Sequence, residues 1–285
     1  MLELFYNKLM KYKFALQILF DYNDILSAIQ FAFDNNFQAV EINLNNFYFL
    51  THLEKKEERK KVLELSKEKN IELLFHAPEG ISLFLINEEI RNFSLNFYKK
   101  IFDYLTEIDA KRMTTHLGSD FTFGISGNKV QTYQVYPQEY EEYFDKIFLE
   151  LKEYIKKNKN LYFCIENVGG FRYLFILNLL EKYLGENFAL TLDTGHINRL
   201  EKEARKREIN FFEKHKEFIK ACHLHDNDGS WDQHNIIGKG NIDFLYYFRL
   251  LKNNDCYFIF EVRPKESAII SYENFIKILK ENGEL

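Results

Sequence analysis

Eight short apolar runs, rich in β-branched and aromatic residues, alternate along this chain with longer amphipathic stretches rich in Lys and Glu. No other feature restricts the fold as strongly. The runs lie near 13–20, 37–42, 71–76, 112–116, 161–166, 188–193, 219–225 and 256–261, each of strand length. Helical patterns cover 22–35, 52–69, 87–109, 138–157, 171–184, 196–218, 241–253 and 270–281. Asp21 or Asn23 is placed to cap the first helix, Asn87 with Glu88 and Glu89 starts the third, and Pro137 opens the fourth. Eight strand–helix units in about 250 residues is the repeat count of an α/β (β/α)8 TIM barrel, a parallel eight-stranded barrel with outer helices. A doubly wound open sheet has fewer units and a Gly-rich first turn. Neither G-x-G-x-x-G nor a P-loop follows any run. No linker or composition shift divides the chain, so residues 1–285 read as a single domain.

Composition narrows the function classes. Lys+Arg 38 against Asp+Glu 43 gives net −5, so no global basic field is present to hold nucleic acid or an anionic membrane. The basic and acidic run EKKEERKK at 54–61 reads as the solvated face of the second helix. Cys164, Cys222 and Cys256 are too few and scattered for a disulfide framework or a CxxC zinc knuckle, which points to a reducing compartment. Lys8, Lys11 and Lys13 break the apolar stretches of the first twenty residues, and no cleavage site follows a clean apolar run. The expectation is a cytoplasmic protein with no membrane span.

Seven of the eight runs end in an ionisable residue: Glu41, His76, His116, Glu166, Asp193, His223 (with His225) and Glu261. In a barrel, all strand C-termini ring one mouth, where active sites are built. Residues far apart in sequence would therefore converge there as a His/Asp/Glu set without Cys. Such a set suits Zn²⁺, Mn²⁺, Co²⁺, Mg²⁺ or Fe²⁺. TLDTGH puts Asp193 and His196 at a strand-to-helix turn, and CHLHDNDGSWDQH offers His223, His225, Asp226, Asp232 and His234 within twelve residues. His223 and His225 alternate by two and face one side of their strand.

Single residues also have plain structural readings. A lone strand-end His or Glu usually serves as a cap or a hydrogen-bonding partner. Glu41 divides evenly between a substrate contact and structural hydrogen bonding. His225 reads as support behind His223, Asp226 and Asn227 as turn caps, and His215 as solvated. Cys164 and Cys222 read as small core residues, and Trp231 as a loop anchor or a stacking wall. The set as a whole resists such an account, because clustering these groups without a cation costs several kcal/mol in desolvation and repulsion.

FQAVEI, FHAP, THLG, CIENVGG, LTLDTGH, CHLHDNDGSWDQHNIIGKGNID and FEVRP follow one another along essentially the whole chain. In that order they resemble the xylose-isomerase-like TIM-barrel superfamily. That group holds sugar and sugar-phosphate isomerases and epimerases, together with the endonuclease IV type of AP endonuclease (AP endonuclease family 2). The resemblance to the epimerase branch implies a divalent cation held by Glu166, Asp193, His223 and Glu261. The two glutamates would act as acid and base, and His196 would contact substrate. The endonuclease branch uses a larger set for three zinc ions, and it has counterparts here in His76, His116, Glu166, Asp193, His196, His223, Asp232, His234 and Glu261.

The surroundings depart from the endonuclease pattern. No Tyr-Leu-x-Asn run follows His76, LDTGH stands for LDTCH without a following Gly-Tyr-Asp, and CIENVGG lacks the Thr and Gln of ENTAGQG. The resemblance therefore implies a divalent-metal-dependent sugar or sugar-phosphate isomerase or epimerase. It would work by carboxylate proton transfer on a metal-bound hydroxy-carbonyl substrate. The alternative is an endonuclease IV-like zinc AP endonuclease or phosphodiesterase, and only under it is nucleic acid a partner. A barrel that binds sugar without turnover has no need of two opposed glutamates. The cofactor this implies is a divalent metal, one of Zn, Mn, Co or Mg, with candidate donors enough for more than one ion. Glu41, Lys239 and Arg263 are further candidates for substrate contacts, the two cations each matched by a reading as surface charge or structural pair.

Overall fold

The computed structural model describes Leu9 and residues 11–285. Residues 1–8 and Met10, which carry part of the expectation about a leader, lie outside the described residues. The first half of the chain runs β1 (Lys13–Ile18), α1 (Ile25–Asp34), β2 (Ala39–Asn43), α2 (Phe47–Glu54), α3 (Lys56–Lys69), β3 (Glu72–His76), α4 (Glu88–Glu107) and β4 (Arg112–Thr115). A hairpin of β5 (Thr122–Ile125) and β6 (Asn128–Gln131) leads to α5 (Thr132–Val135) and α6 (Pro137–Ile155). Next come β7 (Tyr162–Glu166), α7 (Leu174–Tyr183), β8 (Phe188–Asp193), α8 (Thr194–Asn198) and α9 (Lys202–Lys214). The chain closes with β9 (Ile219–Leu224), α10 (Phe244–Leu251), β10 (Tyr257–Phe260) and α11 (Lys265–Glu281).

Among the described residues, eight parallel strands close a barrel in the order β1-β2-β3-β4-β7-β8-β9-β10 and back to β1. Side chains alternate across each strand. One parity, including Phe14, Val40, Phe75, Phe163, Leu190 and Phe258, packs outward under the helices in the main core. The other parity fills the interior in layers. At the bottom, Arg112 lies 4.3 Å from the Tyr162 ring and 4.9 Å from that of Tyr257. Ala15, Ala39, Leu74, Ala221 and Ile259 form the apolar middle with Tyr257. There the Thr114 and Thr191 hydroxyls meet at 2.8 Å between non-neighbouring strands. Two positions further along the strands stand Gln17, Glu41, His76, His116, Glu166, Asp193, His223 and Glu261. The polar set is thus the top layer of the barrel interior.

Helix α4 shows how the outer layer forms. Asn87 caps it by accepting from the Ile90 N–H at 3.1 Å, and Glu88 and Glu89 sit at the positive end of its dipole. Leu95, Tyr98, Phe102 and Leu105 repeat at helical spacing on its buried face. The first helix is capped by Asp24, which accepts from Ser27 N at 2.7 Å, and not by Asp21 or Asn23. Asp21 instead accepts from Lys265 N at the start of α11. The helix expected at 52–69 breaks where Lys55 turns extended, and that expected at 196–218 is divided between α8, α9 and a short 3-10 turn. The β5–β6 hairpin was not expected from the sequence, because its residues are largely exposed and carry no core pattern. No helix among the described residues is long and apolar enough to cross a membrane.

Candidate metal centre

Strand β7 ends in Glu166, whose carboxylate stands at the middle of the top layer and is buried. Its Oε2 lies 3.1 Å from His76 Nε2 and 3.0 Å from His116 Nε2. Its Oε1 faces His223 Nδ1 at 3.5 Å and His196 Nδ1 at 3.3 Å. His223 Nδ1 also lies 2.9 Å from Glu261 Oε2 and 3.7 Å from Asp193 Oδ2. Asp193 ends β8 and caps the short helix α8 by accepting from His196 N, which fixes the two in relation to each other. Asn167 holds the backbone of Asp193 from behind, accepting from its N–H at 2.7 Å and donating to its carbonyl at 3.1 Å.

The long loop after β9 supplies the rest. Asp226 accepts from the N–H groups of Gly238, Gly240 and Ile242, and its backbone pairs with Asn235. This folds residues 226–242 back over the mouth and delivers Asp232 and His234. Asp232 Oδ2 lies 3.1 Å from His196 Nε2 and 3.3 Å from His234 Nε2. His225 Nε2 lies 3.1 Å from Asp193 Oδ2 and 3.7 Å from Asp232 Oδ1, and its ring stacks on that of His234 at 3.9 Å.

Three donor sets result: His76, His116 and Glu166; Glu166, Asp193, His223 and Glu261; and His225, Asp232 and His234. A tetrahedral cation with bonds of about 2.0–2.1 Å holds its ligands roughly 3.3 Å apart. The donor separations above, from 2.9 to 3.7 Å, bracket that value. His196 Nδ1, His223 Nδ1, His225 Nδ1 and Asp232 Oδ1 are buried without a hydrogen-bond partner. Donor chemistry, spacing and orphaned atoms all fit divalent cations.

Electrostatics tell the same story. Burial opposes ionisation of Glu166, yet the surrounding His116 and His223 hold its carboxyl well below the usual carboxylate range. Glu261 is lowered in the same way, by His223, His234 and Arg263 against burial. Burial works against protonation of His76, but the Glu166 carboxylate outweighs it and raises the imidazole to about 9. His234 is likewise raised to about 9, burial being overcome by Asp232. Protons on these rings balance the clustered negative charge, a role that bound cations can take over.

The expected residues divide as follows. Glu166, Asp193, His223, Glu261, His76, His116, His196, Asp232 and His234 converge. Glu41 is fully buried and turned toward His223 and Gln17, on the far side of that ring from the carboxylates. Arg263 donates to Glu261 Oε1 at 3.0 Å and to Gln17 Oε1. Lys239 is exposed on the loop before α10 and is not gathered with the rest. Trp231 is exposed on the same loop. His215 is not solvated: its ring packs 4.8 Å from that of Phe211 and reaches Glu181. His225 falls in a candidate donor set with Asp232 and His234 and at the same time reaches Asp193, a relation that its i, i+2 spacing from His223 foreshadows. Gln17 and Asn167 were missed, since a lone amide in a strand or after one carries no pattern.

Comparison with known proteins agrees with this architecture. The chain is 26% identical over 226 residues to the uncharacterized protein MJ1614 of Methanocaldococcus jannaschii, covering 76% of this chain and 82% of that one. Among solved structures, a D-tagatose 3-epimerase-like protein superimposes with TM-score 0.74 at 22% identity, covering 95% of this chain and 99% of the other. Endonuclease IV from Thermus thermophilus superimposes with TM-score 0.65 at 18% identity over 95% of this chain and 99% of its own. The family model of the xylose isomerase-like TIM barrel matches residues 29–282, and the chain belongs to that family.

Proposed function

We propose that this protein is a divalent-metal-dependent sugar or sugar-phosphate isomerase or epimerase, with the whole chain, 1–285, acting as one domain in the cytoplasm. The observation that carries the reading is the placing of Glu166 and Glu261. Both carboxylates approach the same imidazole nitrogen, His223 Nδ1, from different strands. Glu166, Asp193, His223 and Glu261 would hold the central cation. When bound, that cation supplies a Lewis acid for a hydroxy-carbonyl group.

Glu166 and Glu261 do the proton transfer. One takes a proton from the carbon beside the carbonyl, and the other returns a proton to the neighbouring carbon or to the opposite face. His196, between Glu166 and Asp232, would hydrogen-bond a substrate hydroxyl. Arg263 helps keep Glu261 ionised, as its guanidinium touches the oxygen turned away from His223. The similarity to the D-tagatose 3-epimerase-like structure supports the same reading.

The two outer donor sets favour a second reading, an endonuclease IV-like phosphodiesterase acting on abasic DNA. Multiple cations activate water and hold a leaving oxygen in such chemistry. Incubation with ketoses and ketose phosphates in D₂O, beside an abasic-site oligonucleotide, with Mn²⁺, Co²⁺ or Zn²⁺, separates the two. Deuterium entering a sugar carbon supports the first reading, and strand incision without deuterium uptake supports the second.

A further inference from the structure

We infer that Glu41 is a positioning residue for His223, and that a ring of side chains from four neighbouring strands aims the central donor set. The inference rests on the reading that His223 binds a cation. His223 Nε2 lies 3.0 Å from Glu41 Oε1 and 3.2 Å from Oε2. A carboxylate at that distance holds the N–H of Nε2 and so assigns Nδ1 as the nitrogen that would bind a cation. Nδ1 is the nitrogen that faces Glu261, Glu166 and Asp193, and it is buried with no hydrogen-bond partner.

The ring continues from Glu41. Its Oε1 accepts from Gln17 Nε2 at 2.8 Å, and Gln17 Oε1 accepts from Arg263 Nη2. Arg263 Nη2 also donates to Glu261 Oε1, and the other oxygen of Glu261 faces His223 Nδ1. Glu41, Gln17, Glu261 and His223 stand on β2, β1, the end of β10 and β9, which are successive strands of the barrel. A shift at one ligand is therefore opposed through side chains that never meet the cation. The Glu41 carboxylate is taken up by Gln17 and His223 on the side of the ring away from the other carboxylates, so it serves the imidazole. Partners of this kind raise ligand basicity and fix ring orientation, and losing one costs about ten- to a hundredfold in metal affinity.

The test uses the full chain stripped by a chelator and titrated with Co²⁺, read by the visible d–d spectrum and by calorimetry. Glu41→Gln should weaken binding at the central site by about ten- to a hundredfold. Nitrogen NMR of the zinc-loaded protein should show His223 bound through Nδ1 in the wild type and a mixture of ring states in Glu41→Gln. Wild-type binding with an unchanged Glu41→Gln affinity, or His223 bound through Nε2, would overturn the inference and leave the proposed function standing. A wild type that takes up no Co²⁺ would overturn both. Should Glu41→Gln not fold, Gln17→Met leaves Glu41 in place and must still weaken Co²⁺ binding. No weakening there overturns the inference as well.

Discussion

A Cβ on Gly195 would stand 2.0 Å from Cε1 of His225 and 2.6 Å from its Nε2, so the glycine of LDTGH and the second histidine of HLH share one space. Such separations are well inside van der Waals contact, and the buried ring cannot swing out without leaving Asp193 and His234. The side chain at 195 and the histidine at 225 thus exclude one another. This gives a steric reason for the LDTGH sequence where the endonuclease pattern has LDTCH.

Gly195→Ala should displace the His225 ring. Overpacking of this kind costs about 1–3 kcal/mol. Combining it with His225→Asn should recover part of that loss, because the clash is shared. Urea unfolding of the two single variants and the double variant measures the coupling. Additive losses would place the strain elsewhere.

Glu208 offers a pH signature apart from the donor sets. It is buried on α9, 3.5 Å from Asn167 Nδ2 and 3.6 Å from Arg172 Nε. Burial pushes its carboxyl up to about 7 against the pull of Arg172 and Asn167. Between the unfolded value near 4.5 and about 7, the folded state keeps a proton that the unfolded chain has released. Stability from this group is therefore complete at low pH and lost as pH rises through that window. The loss amounts to about 3 kcal/mol. Denaturant titrations at about pH 5 and about pH 8 should show a loss of stability in the wild type that is smaller in Glu208→Gln by most of this amount, the raised His76 and His234 supplying the remainder.

The outer donor sets predict more than one cation per chain. Elemental analysis after loading with excess Zn²⁺ or Mn²⁺ should show His76→Ala and Asp232→Asn each losing roughly one equivalent while the central ion stays. Loading should also raise stability, by about 2.7 kcal/mol at a free metal concentration a hundred times Kd. A single ion in the wild type, unaffected by His76→Ala, would reduce the outer sets to histidine–carboxylate pairs. The phosphodiesterase reading would then lose its basis.

The barrel was legible because its strands are continuous apolar runs and its inward positions share one parity. Ala15 to Gln17, Leu74 to His76 and Ala221 to His223 each step from the apolar middle to the polar top. The donors were legible for the same reason, as ionisable groups at the ends of otherwise apolar strands. Gln17 escaped notice because β1 ends at Ile18, two residues short of the end of its apolar run, so the top-layer residue was not the last of the run. The role of Glu41 was not legible because it depends on which imidazole nitrogen lies beside it, a matter of packing between strands distant in sequence. Lys239 was a candidate substrate contact, yet it is exposed on its loop, and Asp226 takes the N–H groups of the flanking Gly238 and Gly240. The hairpin carries its only cue in Ser126 and Gly127, both at positive φ, which makes the tight turn.

The central claim is that Glu166 and Glu261 move protons on a sugar carbon. Deuterium uptake from D₂O into a turned-over ketose or ketose phosphate, followed by NMR in wild type, Glu166→Gln, Glu261→Gln and His76→Ala, tests it most directly. The account predicts uptake in the wild type, loss by about a hundredfold or more in each glutamine variant, and a smaller loss in His76→Ala. Uptake that survives in either glutamine variant, or no uptake from any sugar beside abasic-site incision that vanishes in His76→Ala, would contradict it.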